Sequence, residues 1–172
     1  MQYQNTYHSP VGEMLLAADD EGLAGIWFRG ARYFGRGLEP GGKEGENSIL
    51  KEAKRWLDCY FSGHDPEFQP PIHWRGSPFQ QTVWGLLQQI PYGATVTYGE
   101  LSAHVAKQLG QTRMSAQAVG GAVARNPISI LVPCHRVVGS DGGLTGYAGG
   151  LDRKRQLLAF EAAGRARLFQ LV

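Results

Sequence analysis

Residues 126–139 read Asn126-Pro127-Ile128-Ser129-Ile130-Leu131-Val132-Pro133-Cys134-His135-Arg136-Val137-Val138-Gly139, and the rest of the chain is read outward from them. Ile128–Val132 is too short for a helix and too apolar for a surface loop, so the pattern predicts a buried extended segment. That segment ends on a proline and delivers Cys134, His135 and Arg136 toward the interior. A thiolate is a strong nucleophile, and neighbouring cationic or basic groups lower the thiol pKa. A buried inert thiol beside a surface histidine is the competing reading. Adjacent side chains tend to point apart, so Cys134 and His135 either touch directly or communicate through a bridging water. Spacing removes two other cysteine chemistries. A phosphatase-type loop needs arginine at position 140, where this chain has Ser140. Zinc needs a ligand cluster, and His8, His64, His73 and His104 are scattered singly.

Upstream, the pattern is helical. Ser77-Pro78 is an N-cap and first-turn pair, with Phe79, Val83, Trp84, Leu86, Leu87 and Ile90 at helical spacing before Pro91. Thr97-Tyr98-Gly99-Glu100 has the capping-box form and opens a helix running to about Leu109, stopped by Gly110. Ser115 caps a third helix, Ala116 to Arg125, rich in small residues: Ala118, Gly120, Gly121, Ala122 and Ala124. Two short helices joined by a turn fit a helix-turn-helix, whose small second helix could approach a groove closely. A plain helical hairpin fits the same pattern. Downstream, six glycines fall between Gly139 and Gly150. Asp152 is the expected cap of a last helix carrying Leu157, Leu158 and Glu161 before Gly164. Glu161 is either a surface carboxylate or an inward one with a polar partner.

The N-terminal part reads differently. Glu13–Ala18 and Leu23–Phe28 are strand-length apolar runs joined by Asp19-Asp20-Glu21-Gly22, a hairpin turn. Residues 29–47, with six glycines and Pro40, read as a loop. A helix follows from Asn47 or Ser48 with Ile49, Leu50, Ala53, Trp56, Leu57, Tyr60 and Phe61 on one face and Gly63 as its stop. Cys59 on that helix is read as a packed structural thiol. Pro66, Pro70 and Pro71 mark an extended connector. The expected organisation is α+β: residues 1–75 form a supporting domain with a small antiparallel sheet and helix. Residues 76–172 form a mainly helical domain with the helix-turn-helix and the cysteine loop.

Composition agrees with a globular chain: 172 residues, 42% hydrophobic, 19% charged, with 24 glycines. Two cysteines exclude a disulfide framework. Met1–Pro10 lacks the basic-then-apolar signature of a signal peptide, and no apolar run approaches a membrane span. The net charge of +2 hides an asymmetry. Residues 1–90 hold 8 Lys/Arg and 11 Asp/Glu, net −3, whereas residues 91–172 hold 9 and 4, net +5. Either both are ordinary solvated surfaces, or a basic functional half meets a polyanion.

The run Ile130–Gly139 with its Pro133-Cys134-His135-Arg136 core resembles the active-site signature of the O6-alkylguanine-DNA alkyltransferases. Ala118-Val119-Gly120-Gly121-Ala122, Asn126-Pro127 and Gly146-Tyr147-Ala148-Gly149-Gly150 are similar to the same family. Ser9-Pro10-Val11-Gly12 and its hairpin look like that family's N-terminal domain. The resemblance implies irreversible, single-turnover transfer of an alkyl group from O6-alkylguanine in DNA, and by extension O4-alkylthymine, to Cys134. His135 would be the base acting through water, and Glu161 the carboxylate that orients it. Asn126 would bridge the DNA-binding helix and the active-site segment, and Tyr98 would protonate the departing guanine.

The alkylated base would be flipped out of the duplex. Its pocket would be lined by Ser129, Val137, Ser140, Tyr147 and Ala148, with Ser129 standing where many relatives have proline. Duplex DNA would be gripped through its minor groove by Thr97, Arg113, Ala116, Gln117, Ala118, Gly120, Gly121 and Arg125. Gln117 departs from the family, which places there an arginine that fills the hole left by the flipped base; Arg113 or Arg125 would then supply the charge. The alternative class, alkyltransferase-like proteins that bind the lesion without transfer, lacks the nucleophile. No cofactor, metal or membrane partner is expected. The expected state is a monomer in the cytoplasm, at the nucleoid in a bacterium.

Overall fold

The structure, a computed structural model, describes residues 1–170. The chain divides into two units: Met1–Arg75 with Pro127–Ser129, and Gly76–Asn126 with Ile130 onward.

The first unit is built on a four-stranded sheet in the order β3-β2-β1-β4, formed by β1 (Tyr3–Ser9), β2 (Gly12–Ala18), β3 (Leu23–Phe28) and β4 (Lys43–Glu44). β1, β2 and β3 are antiparallel neighbours, and β4 adds in parallel to β1. The Asp19–Gly22 turn closes with Asp19 N–H donating to Gly22 O at 3.1 Å. β2 and β3 read as unbroken apolar runs because both sheet faces are covered. Leu15, Ala17, Ala24 and Trp27 form one cluster, which Leu38 joins. Helix α1 (Ser48–Phe61) packs on the sheet through the buried residues Ile49, Leu50, Ala53, Trp56, Leu57 and Tyr60. Asn47 caps it by accepting from Leu50 N. Ile128 bridges to Ile26 beside β3, with Ile26 N–H donating to Pro127 O and Ser129 N–H to Ile26 O, each at 2.9 Å.

The second unit contains α2 (Pro78–Leu87), β5 (Val96–Thr97), α3 (Tyr98–Gln108), α4 (Ala116–Ala124), β6 (Val137–Val138) and α5 (Leu151–Gln170). Ser77, Thr97 and Ser115 cap α2, α3 and α4. The three helices pack together, and the Trp84 indole N–H donates to Ala122 O at 2.9 Å, tying α2 to α4. β5 and β6 form a parallel pair that sets Thr97 beside Val138.

Four readings of the sequence need correction. The segment 128–132 is not extended. Only Ile128 pairs as a strand, and Ile130 turns the chain with a φ of +70°, a left-handed conformation that a β-branched residue adopts only when its surroundings hold it there. Helix α5 begins at Leu151, so Asp152 lies within its first turn instead of capping it. That helix also runs past Gly164, which is buried. Cys59 is half-buried, not packed away. β1 and β4, which the sequence pattern does not reveal, complete the sheet. No helix among the described residues is long and apolar enough to cross a membrane.

Candidate active site

Cys134 opens a single turn of tight helix, Cys134–Arg136. Just before it, Pro133 sits at φ −83°, ψ 66°, the centre of an inverse γ-turn in which Cys134 N–H donates to Val132 O at 2.8 Å. Asn126 Nδ2 donates to the same carbonyl at 2.7 Å, and its side chain also hydrogen-bonds the thiol. Cys134 is 6% exposed. Burial pushes its thiol pKa up, and the Asn126 hydrogen bond and the Lys154 charge only partly offset that. The resting thiol is therefore protonated at neutral pH and needs a base.

His135 is fully buried, and its Nε2 lies 2.5 Å from Glu161 Oε2. Burial drives the imidazole pKa down, outweighing the pull of the carboxylate. A neutral ring beside a carboxylate carries its proton on Nε2, which leaves a lone pair on Nδ1. That Nδ1 is buried and has no partner among the described residues. Burial alone would raise the Glu161 carboxyl, but hydrogen bonds from His135 and Arg136 win and hold it at about 2. Glu161 Oε1 accepts from Arg136 Nε at 2.7 Å and from Gly93 N at 3.2 Å. Arg136 in turn donates from Nη1 to Ile90 O at 2.7 Å. The carboxylate is thus an ion held on several sides, and the imidazole it fixes has one unspent atom.

Lys154 is a site residue that the sequence reading does not single out. It is fully buried, and its Nζ donates to Val137 O at 2.5 Å and to Thr145 O at 2.7 Å. A signal exists, because Lys154, Leu157 and Glu161 follow a three-then-four spacing that places them on one helix face. Arg136 enters the sequence reading only as part of the motif; its role as the cation of Glu161 comes from the structure.

Tyr98, the first residue of α3, donates its hydroxyl to Gly146 O at 2.9 Å. Burial, reinforced by the neighbouring Cys134, raises its pKa, so it stays a proton donor. Gly146 has a φ of +55°, and a Cβ there would stand 3.3 Å from the Tyr98 hydroxyl, so glycine lets this loop lie against the ring.

The remaining candidates divide. Val137 is buried at the start of β6, and Tyr147 and Ala148 are half-buried in the following loop. Ser140 is exposed at that loop's tip, and Ser129 groups with the first unit. On α4, Ala116, Gln117 and Ala118 are exposed and Gly120 and Gly121 half-buried, while Val119, Ala122 and Val123 face the core. A cleft of about 300 Å³ runs beside this face, lined by Phe79, Gln80, Gln117, Ala118, Gly121 and Arg125 among others. Arg125 donates to Gly121 O at 2.9 Å, Arg113 is exposed, and Thr97 is half-buried as the cap of α3.

Two family models match. Residues 2–73 match the 6-O-methylguanine DNA methyltransferase ribonuclease-like domain, and residues 78–163 match the 6-O-methylguanine DNA methyltransferase DNA binding domain. A methylated-DNA--protein-cysteine methyltransferase of Methanosarcina acetivorans is 44% identical over 94% of this chain and 99% of its own length. A protein of the same name from Mycolicibacterium paratuberculosis is 44% identical over 91% of this chain and 90% of its own. The crystal structure of Mycobacterium tuberculosis OGT in complex with DNA superposes with a TM-score of 0.79 at 38% identity, covering 94% of each chain.

Proposed function

The chain belongs to the 6-O-methylguanine DNA methyltransferase family, an enzyme family that repairs DNA by direct reversal with alkyl transfer to cysteine, and from that premise we propose that Cys134 is the acceptor. The observation that carries this reading is the buried His135–Glu161 pair of 2.5 Å next to Cys134, with His135 Nδ1 left unspent. Nδ1 takes the thiol proton through a bridging water. The sulfur then attacks the alkyl carbon on guanine O6, a C–S bond forms as the C–O6 bond breaks, and guanine leaves with the electron pair. Tyr98 returns a proton to the departing base, a role supported by its raised pKa. Glu161 and Asn126 are positioning residues: one fixes the imidazole, the other the carbonyl beside the thiol. The thioether has no easy reversal, so each molecule reacts once.

DNA is the partner. We propose that α4 enters the minor groove, because its exposed face carries only small residues and Gln117. The alkyl carbon is out of reach in a stacked duplex, so the base flips toward Val137, Tyr147 and Ala148, with Ser140 at the margin. Gln117 fills the gap without a charge, and Arg113, exposed, is better placed than Arg125 to supply one. A single copy contains every group this scheme uses, which supports a monomer, and a DNA substrate is in keeping with action in the cytoplasm, at the nucleoid in a bacterium.

The test is direct. After incubation with an O6-methylguanine oligonucleotide, the intact protein gains the mass of one methyl group, and Cys134→Ala gains none. Binding without a mass gain in the native protein would overturn the proposal.

A further inference from the structure

The loop between β3 and β4 carries a feature that the transfer chemistry does not use. Residues 29–38 contain Arg29, Arg32 and Arg36 and no acidic residue, within the half of the chain that is net negative. The nearby carboxylates are already engaged: Glu13 with Arg29 at 3.1 Å, and Glu39 with Arg75 at 2.5 Å. Arg32 and Arg36 are both exposed, and among the described residues neither guanidinium group has an ion-pair or hydrogen-bond partner. Both guanidinium groups instead lie over the Tyr33 ring, at 5.0 and 5.9 Å from its centroid. Stacking occupies a π face and leaves the in-plane N–H fork of each guanidinium open, the geometry that grips a phosphate.

The loop is not slack. Consecutive turns are closed by Ala31 N–H to Phe28 O, Phe34 N–H to Ala31 O, Arg36 N–H to Tyr33 O and Leu38 N–H to Gly35 O, between 3.0 and 3.2 Å. Tyr33 itself has a φ of +64°, a conformation that a bulky residue keeps only where the surroundings dictate it. Phe34 anchors the turn edge-to-face on Trp27 at 6.4 Å. A preformed backbone therefore presents two uncompensated cations beside one aromatic ring. An anion of repeating phosphates matches that arrangement, and the known partner of this chain is such an anion.

We propose that Arg32 and Arg36, stacked on Tyr33, form a second phosphodiester-binding surface that grips DNA outside the helix-turn-helix. It rests on DNA being the substrate and not on which helix reads it. The experiment is a fluorescence-anisotropy titration of duplex DNA across a range of salt concentrations, run beside alkyl transfer to the protein from the free O6-methylguanine base. In the double variant Arg32→Gln/Arg36→Gln, the slope of log K against log salt becomes shallower by about 1.8, at about 0.9 for each phosphate no longer neutralised. Transfer from the free base is unchanged. Arg32→Lys/Arg36→Lys keeps most of the slope, and Tyr33→Leu weakens binding with a smaller slope change. An unchanged slope in the Gln variant overturns the proposal, as does an equal loss in the Lys variant. Loss of free-base transfer in the native protein would instead count against the Cys134 scheme.

Discussion

Two carboxylates in this chain hold the same pair of partners, one histidine and one arginine, yet only one lies in the proposed transfer site. Asp19, at the β2–β3 turn, accepts from His73 at 2.6 Å and Arg75 at 3.1 Å, and from the main-chain N–H groups of Glu21 and Gly22 at 2.9 and 3.0 Å. Glu161 accepts from His135, Arg136 and Gly93. In each case burial would raise the carboxyl, and the hydrogen bonds overcome it and bring it to about 2. The histidines differ. His73 is 35% exposed, and its second nitrogen lies 3.4 Å from Glu21, so both ring atoms face carboxylates. His135 is 0% exposed, and its second nitrogen faces no partner among the described residues. The first cluster is a clamp that fastens the connector at His73 and Arg75 to the hairpin. The second is a clamp with one working atom left over, and that atom is where proton transfer can occur.

Removing the working atom should have the largest effect. His135→Asn lowers the single-turnover transfer rate by about 10²- to 10⁴-fold, the usual contribution of a positioned base. The pH profile adds a sign. Burial lowers the His135 pKa below its ordinary value, so the native rate stays flat through neutrality and falls only when acid protonates the ring below that value. A thiol that ionised without a base would behave differently, because its pKa is raised and the rate would climb about tenfold per pH unit into alkali. Quench-flow rates between about pH 5 and about pH 9 separate the two.

The same chemical change at the two carboxylates has different consequences. Glu161→Gln leaves a buried Arg136 without its counter-charge and costs about 3–5 kcal/mol of stability, together with most of the transfer rate. Asp19→Asn costs about 2 kcal/mol, from a carboxyl held roughly two pKa units down, and leaves the transfer rate of the folded protein unchanged. For both groups the folded pKa lies below the unfolded one. Their stabilisation is therefore complete above the usual carboxylate range and lost as pH falls toward about 2. Denaturant melts of both variants at neutral and acid pH, paired with transfer assays, check this. Equal rate losses in the two would erase the distinction.

These clusters also mark what a sequence can display. Cys134 and His135 are legible because adjacency in sequence is adjacency in space, and the caps Asn47, Ser77, Thr97 and Ser115 because capping is local chemistry. Glu161 is visible as a carboxylate on the last helix, but its pairing with His135 enters only through the family resemblance: 26 residues separate the two, and no local rule turns the side chain inward. Asp19 and His73 are 54 residues apart and read, in sequence, as a turn residue and a stray histidine. β1 escapes detection because its Tyr3, Asn5 and Tyr7 are only half-buried, so period-two apolarity is weak, although every residue of it pairs with β2. The extended reading of 128–132 fails at Ile130, where intrinsic preference is overruled by a carbonyl gripped by Asn126 and a strand bridge at Ile128. Lys154 is hidden by its type, since a lysine on a helix face is expected to point to water.

The smallest effect tests whether an unspent nitrogen is enough on its own. Glu21→Gln removes the charge facing the second nitrogen of His73, and so makes the first cluster resemble the second in connectivity. The Glu21 side chain is 77% exposed, and an ion pair of that kind contributes between about 0 and 1 kcal/mol. Thermal stability should shift little, and alkyl transfer, followed by mass, should not change in rate or stoichiometry. The liberated nitrogen would stand in solvent, with bulk water as its partner and no thiol beside it. A lone pair becomes a tool only where burial keeps bulk water from it and a nucleophile's proton lies within reach of one bridging water. Any second methyl carried by the Glu21→Gln protein would break that rule, and a single methyl on Cys134 in both proteins upholds it.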